Sequence, residues 1–188
     1  MAVTPTRRRV LDAAAGLLSR DGLDVSMEAI AQEAGVTRMT VYRQLGSRDQ
    51  VLVAVLLDQS ATVAGDLHEI LGDETRPFAD RVVDAIVLVV LTVRGSPVLS
   101  FFVERVTPTQ IGSLDEDDRF LAGVWDLLLP YFEAASAAGV LRAEPRPTLD
   151  WTLRQILLQL VVEGATTSSA NGLRDELSRF FIPSISAP

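Results

Sequence analysis

The chain has 188 residues, 48% of them apolar, and a net charge of −8. Such a chain buries a substantial core, which excludes wholesale disorder. It has no cysteine, which excludes disulfides, thiol nucleophiles and cysteine-based metal sites.

The charge is unevenly spread. Residues 1–57 hold seven Arg against six acids, a net +1, whereas residues 58–188 hold ten Arg against nineteen acids, a net −9. The acidity belongs to the C-terminal part, and a nucleic-acid site needs only a local basic face.

In chain order, Val10, Leu11, Ala14, Leu17 and Leu18 mark one face of a first helix that starts near Pro5. It stops at Asp21-Gly22. Arg7-Arg8-Arg9 leads straight into this helix with no signal-peptide pattern, so a cytoplasmic protein is expected. Ser26 is the expected N-cap of a short second helix, Met27 to Ala34, which Gly35 closes. Thr37 caps a third helix, Arg38 to Leu45, and Gly46 closes that one. Ser47-x-x-Gln50 reads as a capping box opening a fourth helix, striped by Leu52, Val55, Leu56, Val63, Leu67 and Leu71. Further helices are predicted at about 77–94, 97–106, 115–138, 147–166 and 172–182, punctuated by proline and glycine. The longest apolar run, Ala85 to Val93, is far short of the ~20 residues that cross a bilayer and reads as a buried helix. The pattern is therefore all-α, with about nine helices.

Only a few residues around Gly35-Val36 separate the second and third helices, as a helix-turn-helix requires. The second then braces the third, which can lie in the major groove. Ala31 is small where the two helices must approach closely, and Ile30, Val36, Val41 and Leu45 would form its small core. The opposite face of the third helix carries Thr37, Arg38, Thr40, Arg43 and Gln44, with Tyr42 at the edge. Arg grips a guanine edge and Gln an adenine edge, while Thr and Tyr hydroxyls suit phosphate oxygens. Arg48 in the first turn of the fourth helix opposes the helix dipole, as do Arg7 to Arg9 in the first. A bound phosphate at each place would remove the conflict.

The motif string continues through Val10-Leu11-Asp12-Ala13-Ala14, Gly22, Met27-Glu28-Ala29-Ile30-Ala31, Ala34-Gly35-Val36-Thr37, Thr40-Val41-Tyr42 and Gly46-Ser47-Arg48-Asp49. In that order it resembles the DNA-binding domain of the TetR family of bacterial transcriptional regulators. The resemblance implies a DNA-binding domain over residues 1–52 and a helical ligand-binding and dimerisation domain over 53–188. It implies phosphate contacts from Thr40, Tyr42 and Arg48, and base contacts from Arg38, Met39 and Gln44. Two positions depart from the family pattern: Leu45 stands where Phe is usual, and Met39 where a small residue is usual. Leu45 should keep the small core, whereas Met39 could touch thymine methyls or simply pack.

Trp151 to Gly164 is apolar on more than one side and needs cover from two directions. The resemblance implies that this helix and the last one pair with their copies in a four-helix bundle, through Trp151, Ile156, Leu160, Leu177 and Phe181. The resulting homodimer would read a palindromic operator with two reading helices. The middle helices hold Phe78, Phe101, Phe102, Phe120, Trp125 and Phe132, which fit either plain core or a pocket. Phe102, Trp125, Leu128 and Gln155 are the expected lining of a site for a small hydrophobic or amphipathic effector. Thr92, His68 and Gln159 are further polar positions on these helices. Asp115-Glu116-Asp117-Asp118 suits a helix first turn and lacks calcium-loop spacing, so no metal and no cofactor is expected.

An all-helical enzyme is the main competing class. It would have to work with one histidine, His68, and without a phosphate loop, serine elbow or histidine-rich metal motif. A regulator-like interaction protein that lost one of its ligands is the other. The expected function is a DNA-binding repressor released by its effector.

Overall fold

The computed structural model describes residues 4–105, 119–162 and 169–187. Its elements are α1 (Pro5–Asp21), α2 (Met27–Glu33), α3 (Arg38–Leu45), α4 (Arg48–Gly72), α5 (Phe78–Gly95), α6 (Pro97–Arg105), α7 (Arg119–Ala137) and α8 (Pro145–Val161). The last helix is composite: α9 (Ala170–Glu176) runs through a π-helical turn (Leu177–Phe181) into a final turn, Ile182–Ile185. The described residues contain no strand, only a bridge between Leu141 and Ser186. The fold is all-α, as expected.

The chain divides into two compact units. One gathers residues up to Thr62 together with Val93–Arg105, and the other takes Val63–Thr92 and the described residues from 119 on. The division falls inside α4 rather than at 52/53, and it places α6 with the N-terminal helices. Both differences follow from packing: Val51 and Val55 of α4 and Val98 of α6 are buried in the same core as α1–α3. That core is built on the five predicted α1 residues, with Ile30, Ala31, Val41 and Leu45. Ser96 fixes α6 locally, since its hydroxyl accepts the Leu99 N–H at 3.2 Å and lies 2.7 Å from Gln59 Oε1.

In the other unit α5 is the central helix. Val82, Val83, Ile86, Val87 and Val90 are buried, and the Phe78 ring meets Phe132 of α7 edge-on at 5.1 Å. Leu149 and Leu153 of α8 and Leu173, Leu177, Phe181 and Ile185 of the last helix complete this core. Asp84, only 16% exposed, joins three segments by accepting from Arg76 at 2.6 Å and Arg174 at 2.5 Å. By length and composition alone, α4 could cross a membrane. Its Val51, Val55, Leu67 and Leu71 are buried against protein.

Candidate nucleic-acid interface

The turn between α2 and α3 follows from its residues. Ala31 and Gln32 carbonyls near the end of α2 accept the N–H groups of Val36 (2.9 Å) and Gly35 (3.2 Å). This is the paired closure that glycine permits, with Gly35 at φ 61°. Val36 then packs against the core beside α2. One residue later the Thr37 hydroxyl accepts the Thr40 N–H at 3.2 Å and starts α3. The predicted Ser26 cap behaves alike, accepting the Ala29 N–H at 3.1 Å.

Val41 and Leu45 bury one face of α3, at 0% and 6% exposure. The opposite face must therefore look outward, and Thr37, Arg38, Met39, Tyr42 and Arg43 are exposed, with Thr40 and Gln44 half-buried. Met39 is 74% exposed, so of the two roles open to it, packing within its own unit is ruled out. The Arg38 guanidinium lies 5.6 Å from the centroid of the Tyr42 ring, a cation–π contact. All eight residues expected at DNA thus lie on α3, its N-cap and the first turn of α4, and none of them is core.

The turn after α3 is equally determined. Gly46 has φ 88° and ψ −146°, a region open essentially to glycine. A side chain there would also strike that of Gln50. Gln50 Oε1 accepts the Ser47 N–H at 2.8 Å, and Ser47 Oγ accepts the Gln50 N–H at 3.4 Å, which is the predicted capping box.

Three of the arginines at helix starts, Arg7, Arg8 and Arg48, have internal partners. Arg48 donates from Nη2 to the Leu23 carbonyl at 2.5 Å and to Asp24 at 3.1 Å, and from Nε to the Val25 carbonyl at 3.4 Å. The α1–α2 loop therefore relieves its conflict with the α4 dipole. Nη1 of Arg48 has no acceptor among the described residues, and its side chain is 46% exposed. Arg8 pairs with Asp12 and Asp58, both at 2.6 Å. Hydrogen bonds donated to Asp12 first, then to Asp58, raise its pKa. Arg7 donates to the Gln44 carbonyl. Asp12 lies four residues from Arg8 on the same helix, but the other partners could not be read from the sequence, because they are remote and several are main-chain carbonyls.

The other expected sites are placed unequally. The acidic run 115–118 lies outside the described residues, and Phe102 and Phe120 are placed only as backbone positions of α6 and α7. Leu128 is buried in the core, and Gln155 is half-buried. Trp125, also half-buried, lies under the Arg146 guanidinium at 4.9 Å, which joins α7 to the start of α8. Of the expected dimer residues, Trp151 is 44% exposed and its indole N–H donates to Ser184 Oγ at 2.9 Å. Ile156 and Leu160 are partly buried. Leu177 and Phe181, also expected at the dimer interface, are buried in the core of their own chain. The π turn is the reason. Residues four apart drift by about 40° around an α-helix, and the wider turn takes that drift back, keeping Leu173, Leu177, Phe181 and Ile185 inward. Along α8, the residue after it and the last helix, the exposed large apolar residues are Trp151, Leu158, Val161, Val162 and Phe180.

Comparison with known proteins agrees with this geometry. Residues 10–55 match the family model described as bacterial regulatory proteins, tetR family. Over 180 residues the chain is 23% identical to an uncharacterized HTH-type transcriptional regulator of Mycobacterium tuberculosis, spanning 93% of this chain and 83% of that protein. A TetR/AcrR-family transcriptional regulator from Thermobifida fusca has a similar structure, with TM-score 0.71 and 16% identity over 95% of this chain and 97% of its own. A second solved structure is described as the molecular basis for control of antibiotic production by bacterial hormones. It gives TM-score 0.72 and 21% identity over 97% of this chain and 98% of its own. At such identities the structural likeness speaks to the fold.

Proposed function

We propose that this chain, which belongs to the TetR family of bacterial transcriptional regulators, is a dimeric cytoplasmic repressor that leaves a palindromic operator when a small hydrophobic or amphipathic effector binds. The observation that carries the reading is α3 itself. It is capped by Thr37, braced by α2 and buried through Val41 and Leu45, and it turns Arg38, Met39, Tyr42 and Arg43 outward. An arginine pair beside a thioether and a phenol offers guanine edges, thymine methyls and phosphates their usual partners. Arg38, Met39, Arg43 and Gln44 are assigned to bases. Thr37, Thr40 and Tyr42 are assigned to phosphate, as is Arg48 through Nη1.

Repression needs two reading heads, because one short helix per duplex gives weak, unspecific binding. The exposed Trp151, Leu158, Val161 and Phe180 support a second copy packing on α8 and the last helix. An effector is supported by the apolar α7–α8 region around Trp125, Leu128 and Gln155. A mobility-shift experiment with the DNA flanking its own gene tests the reading. A shift at low salt that weakens steeply as salt rises is expected; failure to shift any duplex at low salt refutes it.

A further inference from the structure

We infer that Arg7, which lies outside the helix-turn-helix, fixes the lie of the reading helix and so sets how well the protein tells its operator from other DNA. The inference rests on the DNA-binding reading above. An arginine in the first turn of α1 is opposed by that helix's dipole, so its position needs another reason. The structure supplies one: its guanidinium donates to the main-chain carbonyl of Gln44, 37 residues away and one residue short of the end of α3. The last carbonyls of a helix have no partner within it and form its negative end, where a cation is favoured. The Tyr42 carbonyl is closed by the Gly46 N–H at 2.9 Å, and that of Gln44 by Arg7.

The geometry makes this contact consequential. With 8 residues, α3 is little more than two turns and too short to hold its own shape in water. Its N-terminal end is fixed by Thr37 and the Val36–Ala31 bond, and its C-terminal end by Gly46 and Arg7. Arg43 and Gln44 project from that second end. Two-bond recognition of a base edge depends on angle, so a released end misaligns these contacts while leaving phosphate attraction intact. Arg8, one residue on, is the natural comparison. It carries the same charge on the same turn but binds Asp12 and Asp58.

The test uses the full chain and two duplexes: one selected by the wild-type protein from a randomised pool, and a scrambled duplex of the same composition. Arg7→Gln should lose about tenfold on the selected duplex, the scale of one base contact, and less than about twofold on the scrambled one. The slope of log affinity against log salt should not change. Arg8→Gln should leave the selected-to-scrambled ratio at the wild-type value. Partial unfolding lowers both affinities equally, so the ratio reports on folded protein even if Arg7→Gln is less stable. An unchanged ratio in Arg7→Gln, or an equal drop in Arg8→Gln, overturns the inference. Equal losses on both duplexes with a flatter salt slope also overturn it, by making Arg7 a phosphate contact. If the wild-type protein selects no duplex at all, the DNA-binding reading itself fails.

Discussion

Replacing Gly46 with alanine tests whether the turn behind the reading helix is as constrained as its geometry says. The backbone at φ 88°, ψ −146° should cost any side chain about 1–3 kcal/mol. The new methyl also meets Gln50, so the Gln50 carboxamide must leave the Ser47 N–H, and losing that cap adds about 1 kcal/mol. Gly46→Ala should therefore destabilise by about 2–4 kcal/mol, a large share of the 5–15 kcal/mol typical of a domain. Gln50→Ala alone should cost about 1 kcal/mol. The double variant should cost no more than Gly46→Ala, because the cap is already lost and the collision is gone, a coupling of about 1 kcal/mol. Urea unfolding of the four proteins, followed by circular dichroism, gives the cycle. A loss below about 1 kcal/mol for Gly46→Ala would refute the backbone argument, and strict additivity would refute the collision.

Arg48→Ala should weaken binding to every duplex and lower the salt slope by about one unit, and should also lower the melting temperature because three loop contacts go with it. A lower melting temperature with an unchanged slope would assign Arg48 to the loop alone. Arg38→Ala should relax preference at particular base pairs by about 1–3 kcal/mol each, read by competition between single-substituted duplexes; equal losses on specific and random DNA would show that it reads no base. Phe180→Glu places a charge on a residue 70% exposed in the single chain. It should shift sedimentation from dimer to monomer with the helical signal retained, and a persistent dimer would move the interface elsewhere.

The legible part of the molecule was the part written in short-range pairs. Ser26, Thr37 and the Ser47–Gln50 box each act within three residues, so the sequence alone identifies the cap and the structure repeats it. The five apolar residues of α1 and the buried run in α5 likewise follow from periodicity. Arg7 and Arg48 were illegible for the opposite reason: their acceptors are mostly backbone carbonyls brought near by the tertiary fold. An amphipathic stripe shows that Leu177 and Phe181 are buried, but not whether their own chain or another buries them. The π turn, which decides it, leaves no mark on hydropathy. The compact units divide farther along α4 than residue 52 because α4 carries one apolar stripe into two separate cores.

Sedimentation of the protein on a single selected duplex is the most direct measurement of the central idea, that two joined copies each insert α3 into one DNA site. Two chains per duplex are predicted, with a two-fold symmetric footprint whose halves lie about one helical turn apart. One chain per duplex, or a footprint without that symmetry, would contradict it.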